Sequence, residues 1–190
     1  QEAEGKIFEI SQRAQKRDVT SIDLVIEEAF ERMRNASKNE GNISGIPSGF
    51  TELDKITSGW QKSDLVIIAA RPAMGKTSFA LNIAQNVALK ANVPVAIFSL
   101  EMSKEQLAYK LLCSEANVDM LKLRTGNLDD DDWERIARAT GPLSKAKIYI
   151  DDTAGLSVME MRSKCRKIKM EHGIDMILID QIIAHAYQRA

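Results

Sequence analysis

Cysteine is scarce in this chain: there are two, Cys113 and Cys165, both inside helical patterns. Two thiols so placed read as buried and unpaired rather than as a disulfide framework, which predicts a reducing compartment. An excess charge of one sign is lacking too. The net charge is −1, so no bulk basic field points to nucleic acid wrapped on the outside, although a few local contacts in a pore stay open. No apolar run reaches the ~20 residues that a membrane crossing requires, and the N-terminus shows no signal-peptide pattern. These absences predict a cytoplasmic protein with no membrane partner. What is present is ordinary: 44% hydrophobic and 28% charged residues, over a length that supports one domain with a real core plus an appendage.

One stretch organises the rest. Ala70-Arg71-Pro72-Ala73-Met74-Gly75-Lys76-Thr77 follows the apolar run Leu65-Val66-Ile67-Ile68-Ala69 and opens a helical pattern at Ser78-Phe79-Ala80. A strand ending in a tight turn that leads into a helix is the geometry of a phosphate cradle. Backbone N–H groups and the positive end of the helix converge there on an anion. Lys76 can reach the β- and γ-phosphates, and the Thr77 hydroxyl can ligate Mg²⁺. The strict pattern begins with glycine, and Ala70 stands in that place. The strand–loop–helix context carries the reading: this chain binds a nucleoside triphosphate.

Around that loop the chain alternates. Strand-like runs lie at 64–70, 94–100, 147–151 and 175–180, and helical runs at 76–90, 103–116, 129–140 and 157–171. Alternation of this kind predicts an α/β fold, a parallel sheet flanked by helices on both faces. The run Ile174–Asp180 is nearly all apolar, as expected of a central strand. Ahead of this body, residues 1–17 read as a short polar helix. Ile22, Val25, Ile26, Ala29, Phe30 and Met33 mark an amphipathic helix over 20–34, followed by a linker at Asn35–Asn42. The apolar stripe of that helix belongs on its own domain or on a neighbouring subunit. Residues 45–60 read as a loop with an apolar lid built from Phe50, Leu53, Ile56 and Trp60.

Ligands of such folds sit outside the carboxyl ends of the strands, where Gly75–Thr77, Glu101 and Asp180 all fall. Asp180 ends an apolar strand, the place of an acid that holds a Mg²⁺ water shell. Glu101 has two readings that the spacing leaves level. It orients or deprotonates an attacking water, or it is an N-terminal acid of the helix that Ser103 caps. Asp151 and Asp152 read as turn and capping residues, and Asp129–Asp132 as a dipole-complementing helix start. Met102, Met159, Met161 and Met170 read as apolar filler, and His172 before Gly173 as a helix C-terminus.

Several spaced motifs agree in order. Gly45-Ile46-Pro47-Ser48-Gly49-Phe50, Leu53-Asp54, the Ala70–Thr77 loop with its Arg71-Pro72, and Phe98-Ser99-Leu100-Glu101-Met102-Ser103 together resemble the bacterial replicative DNA helicases, the DnaB family. The resemblance covers about residues 1–180. It implies a RecA-like P-loop NTPase core over 45–190 and a helical linker region over 1–44. It also implies a homohexameric ring threaded by single-stranded DNA, 5′ to 3′ movement on ATP hydrolysis with Mg²⁺, and primase and a helicase loader as partners. By position, Ala70, Arg71, Pro72, Ala73, Met74, Gly75, Lys76, Thr77 and Ser78 form the nucleotide loop. Lys76 and Glu101 are its catalytic residues, with Glu101 activating water, and Thr77 and Asp180 are its metal ligands. The 20–34 helix matches a linker helix that packs on the neighbouring subunit.

The chain also departs from that family. The family's N-terminal helical domain has no counterpart before residue 1, and Gln181-Ile182-Ile183-Ala184-His185 stands where the family has Tyr-Leu-Gln. Either the chain stops early or remote pieces are joined after Asp180. On the second reading Ile182-Ile183-Ala184 and Gln188-Arg189 match a later strand, and Arg189 acts on a neighbour's nucleotide. The competing functions are a RecA-like ATPase of another class, a strand-exchange filament or ATP-timed switch, and a fragment that binds nucleotide without unwinding.

Overall fold

The computed structural model describes residues 21–36 and 43–180. The expected 1–17 helix, most of the linker, and the tail with His185 and Arg189 lie outside the described residues. The chain divides into two compact units, 1–42 and 43–190.

The first unit contains helix α1 (Ile22–Ala36), with Asp23 in its first turn and Arg34 in its last, each complementing the helix dipole. Its apolar residues Ile22, Val25, Ile26, Phe30 and Met33 are all exposed.

The second unit runs α2 (Thr51–Thr57), α3 (Lys76–Leu89), β1 (Val95–Ser99), α4 (Lys104–Ala116), α5 (Met120–Thr125), α6 (Asp130–Lys145), β2 (Ile148–Asp151), α7 (Val158–His172) and β3 (Met176–Asp180). The strands form a parallel sheet in the order β2-β1-β3, with Val95 level with Ile148 on one side and Met176 on the other. Every residue of β1 is buried, because side chains on both faces meet helices. Val95 and Ile97 face Leu81, Ile83, Ala84 and Val87 of α3 and Leu107 and Leu111 of α4. Ala96 and Phe98 face the other way, where Met161, Cys165 and Ile168 of α7 close the second layer. Three helices start on capping boxes: Ser103 with Gln106, Asp129 with Asp132, and Ser157 with Glu160. Among the described residues no helix is long and apolar enough to cross a membrane.

Two expectations need correcting. The run at 64–70 is not a strand: only Ile68 packs against the core, and Leu65 and Ile67 are exposed. Apolar composition marks a segment for burial, but a strand also needs a ladder partner, and none pairs with it among the described residues. Nor is β3 the central strand; β1 is. The outer edge of β3 is unpaired among the described residues, and Ile177 and Ile179 are correspondingly exposed. Two short helices, α2 and α5, were not foreseen, and α6 continues through Pro142 to Lys145 rather than ending near 140.

Residues 43–60 form a lid that is fastened to α3. Ile46 and Trp60 make one antiparallel bridge. The carboxylate of Asp54, 4% exposed, accepts from the N–H of Ser48 at 2.7 Å and of Gly49 at 3.1 Å. The Asn86 side-chain amide of α3 donates to the Ser48 carbonyl, and the Phe50 ring lies 5.0 Å from that of Phe79 near the start of α3.

Candidate nucleotide-binding site

The loop that feeds α3 is exposed from Ala70 to Gly75. It is turned by two residues in left-handed conformation, Ala73 (φ 62°) and Gly75 (φ 81°), and by the N–H of Met74 donating to the Arg71 carbonyl. A Cβ at position 75 would meet nothing within 4 Å, so backbone conformation rather than crowding calls for glycine there. Gly75 is also the N-cap of α3, and it has no side chain to satisfy the first N–H groups.

That helix start differs from its neighbours. α1, α2, α4, α6 and α7 carry an acid in the first turn, and α5 is capped by the Asp119 side chain. α3 has neither a side-chain cap nor a first-turn acid. Its N–H groups and positive dipole end are left for an anion from outside the chain. Lys76 and Thr77, half-buried, are the first two residues of the helix, and Ser78 is exposed beside them. The Lys76 ammonium makes no hydrogen bond or ion pair among the described residues.

Asp180 closes the site from the sheet. It is 4% exposed at the end of β3, and the Thr77 hydroxyl donates to both its carboxylate oxygens, at 3.1 and 3.2 Å. A hydroxyl and a carboxylate meeting beside an anion cradle are two hard oxygen donors, the set that suits Mg²⁺. The residues fit that ion. β1 brings in the remaining acid: Ser99 is level with Asp180, and the Leu100 N–H reaches the Asp180 carbonyl at 3.5 Å, so Glu101 leaves the sheet at the same end. Glu101 is exposed and lies two residues before the true N-cap, Ser103. Glu105 is the acid of the first turn of α4, so Glu101 does not serve that helix.

A match to the family model for the DnaB-like helicase C-terminal domain spans residues 45–189. The chain belongs to that family. Among DnaB-like relatives, the replicative DNA helicase DnaC of Bacillus subtilis strain 168 and DnaB of Geobacillus stearothermophilus are each 51% identical to it. Both alignments cover 95% of this chain and 40% of the relative, so the chain spans well under half the length of these proteins. A solved ATPase domain superposes with a TM-score of 0.80 at 37% identity, covering 87% of this chain and 58% of that one. A structure described as a DnaB-like replicative helicase and its interactions with primase gives 0.74 at 36% identity, covering 94% and 43%. The parallel sheet flanked by helices is thus the RecA-like core of DnaB-like ATPase domains.

The nearby acids Asp151 and Asp152 tie neighbouring elements together. Asp152 accepts from the Lys104 N–H at the start of α4, and Asp151 accepts from Lys164 at 2.5 Å. Burial acts to raise the Asp151 carboxyl, but the bonds from Lys164 and Thr153 outweigh it and hold the group below the usual carboxylate range. Asp132, in the acidic run, is fully buried between Lys122 (2.7 Å) and Arg135 (2.7 Å), and among the described residues no three or more His, Cys, Asp or Glu side chains gather into a metal site. That burial had no signal in a run of four aspartates.

Proposed function

We propose that this chain is the ATPase motor of a replicative DNA helicase, with 1–44 as linker region and 45–190 as motor. The observation that carries the proposal is the α3 N-terminus, which has neither cap nor acid and faces the Thr77–Asp180 pair. Ala70–Ser78 wrap the triphosphate, with the N–H groups of α3 and the Lys76 ammonium binding its phosphate oxygens. Thr77 and Asp180 would hold Mg²⁺, which when bound neutralises charge on those oxygens. Glu101 orients the attacking water and accepts its proton.

The family and the replicative-helicase names of the relatives support DNA unwinding at replication, and on this reading the motor works in a ring that translocates 5′ to 3′ on single-stranded DNA. The exposed apolar stripe of α1 supports docking of this helix on a neighbouring subunit, which on this reading belongs to a homohexamer. Primase and a loader are the protein partners of this reading, in a cytoplasmic setting. The test is strand separation on a forked duplex by the full-length chain with ATP and Mg²⁺. ATP hydrolysis without strand separation would instead assign a filament or switch ATPase.

A further inference from the structure

The turn between β1 and α4 is tied down on either side of Glu101 but not at Glu101 itself. Ser99, the last residue of β1, is 1% exposed, so its hydroxyl has no access to water and must find partners in the chain. It finds both on one residue. The Ser99 Oγ donates to the Met102 carbonyl at 2.7 Å and accepts from the Met102 N–H at 3.1 Å. A single hydroxyl thus clamps the residue after the glutamate, while the Leu100 N–H before it reaches toward β3. Beyond the turn, Ser103 and Lys104 are fixed by Gln106 and Asp152. Glu101 makes no hydrogen bond among the described residues and is exposed at the apex of this closed turn.

Such an arrangement has a purpose if the carboxylate must stay unengaged and yet be held in place. A carboxylate tied to its own backbone would spend its lone pairs there, and one on a loose turn would wander by more than general-base chemistry tolerates. Misplacement of ~1 Å can cost 10²-fold in rate. We infer that Ser99 is a positioning residue for Glu101: its paired hydrogen bonds to Met102 fix the turn that presents the carboxylate to the water attacking the γ-phosphate. This inference rests on the reading of Glu101 given above.

The test is ATP turnover by the full-length protein carrying Ser99→Ala, Glu101→Gln, or both, with nucleotide affinity measured alongside. Positioning predicts that Ser99→Ala lowers kcat by ~10-fold or more, leaves KM and nucleotide affinity within about two-fold, and lowers turnover no further in the Glu101→Gln background. Threonine and valine match in shape and differ in the hydroxyl, so Ser99→Thr should keep the turnover that Ser99→Val loses, whatever the stability of the alanine variant. Unchanged kcat in Ser99→Ala, or an equal loss with and without Glu101, would overturn the positioning role alone. Wild-type turnover in Glu101→Gln would overturn the catalytic reading, and the role of Ser99 with it.

Discussion

Asp180→Asn separates a metal ligand from a structural acid. Among the described residues the side-chain partner of this buried carboxylate is the Thr77 hydroxyl. Replacing it by an amide of the same shape keeps an oxygen that can accept from Thr77, but takes away one of the two carboxylate oxygens. Without nucleotide the fold should change by no more than ~1 kcal/mol, since the Thr77 hydrogen bond is kept while the amide brings N–H donors to a buried position. The cost falls on the bound state. Saturation at 100 times Kd with Mg²⁺ and a non-hydrolysable nucleotide stabilises a folded protein by ~2.7 kcal/mol. At roughly 2–4 °C per kcal/mol for a chain of this size, the wild-type midpoint should rise by about 5–11 °C. In Asp180→Asn the part of that rise abolished by EDTA should disappear, and any metal-independent nucleotide part should remain. Thermal unfolding in four conditions, with and without nucleotide and with Mg²⁺ or EDTA, reads this directly. A full Mg²⁺-dependent rise in the variant would refute the metal assignment. A loss of several kcal/mol without any ligand would show that Asp180 is a structural residue instead.

Other outcomes follow from the same geometry. Lys76→Ala should abolish ATP turnover or weaken nucleotide affinity at least ten-fold, since the N–H groups of α3 alone must then hold the phosphates; a filter-binding or fluorescence titration measures it. Asp132→Ala removes the fully buried carboxylate between Lys122 and Arg135 and half of the α6 capping box. Because both cations are partly exposed and can regain water, the expected cost is about 2–3 kcal/mol, below the usual range for a fully buried pair; urea unfolding measures it. Asp151, whose carboxyl is held low by Lys164 and Thr153, stabilises the fold fully above the ordinary aspartate value of about 4. That contribution fades as pH falls through its depressed folded value. The gap in thermal midpoint between wild type and Asp151→Asn should therefore be larger at neutral pH than at pH ~2.

How legible the molecule was depended on whether a feature rests on local chemistry or on partners far along the chain. Glycine before Lys76, the serine cap at 103 and Gly173 after His172 are local signals, and each marks a helix end where it was expected. The Thr77–Asp180 meeting spans 103 positions; the rule that ligands gather beyond strand ends placed Asp180 correctly at the end of β3, while the run before Thr77 is not the strand that the same rule assumed. The failures lie where composition and pairing part company. The 64–70 run has strand composition without a ladder partner among the described residues, while α2 begins after Phe50, which offers no capping group to announce it. Which strand lies in the middle depends on the order of pairing, and the apolar content of 174–180 carries no information about that. Ser99 and Asp54 stand in the motifs that carry the resemblance, yet the contacts each makes were not legible for a related reason. Each looks like an ordinary polar residue, and its importance comes from the neighbours that burial forces it to choose.

The seam between the lid and α3 has almost no tolerance. At Gly49 a Cβ would sit 2.5 Å from the Asn86 side chain, on a backbone already turned to φ +82°. Only a hydrogen atom fits between the two pieces. A joint this close, with the Asn86 amide donating to the Ser48 carbonyl, fastens the 45–60 segment to α3 ten residues from Lys76. In mechanical terms the lid is a handle on α3, gripped near the start of the helix at Phe79 and toward its far end at Asn86.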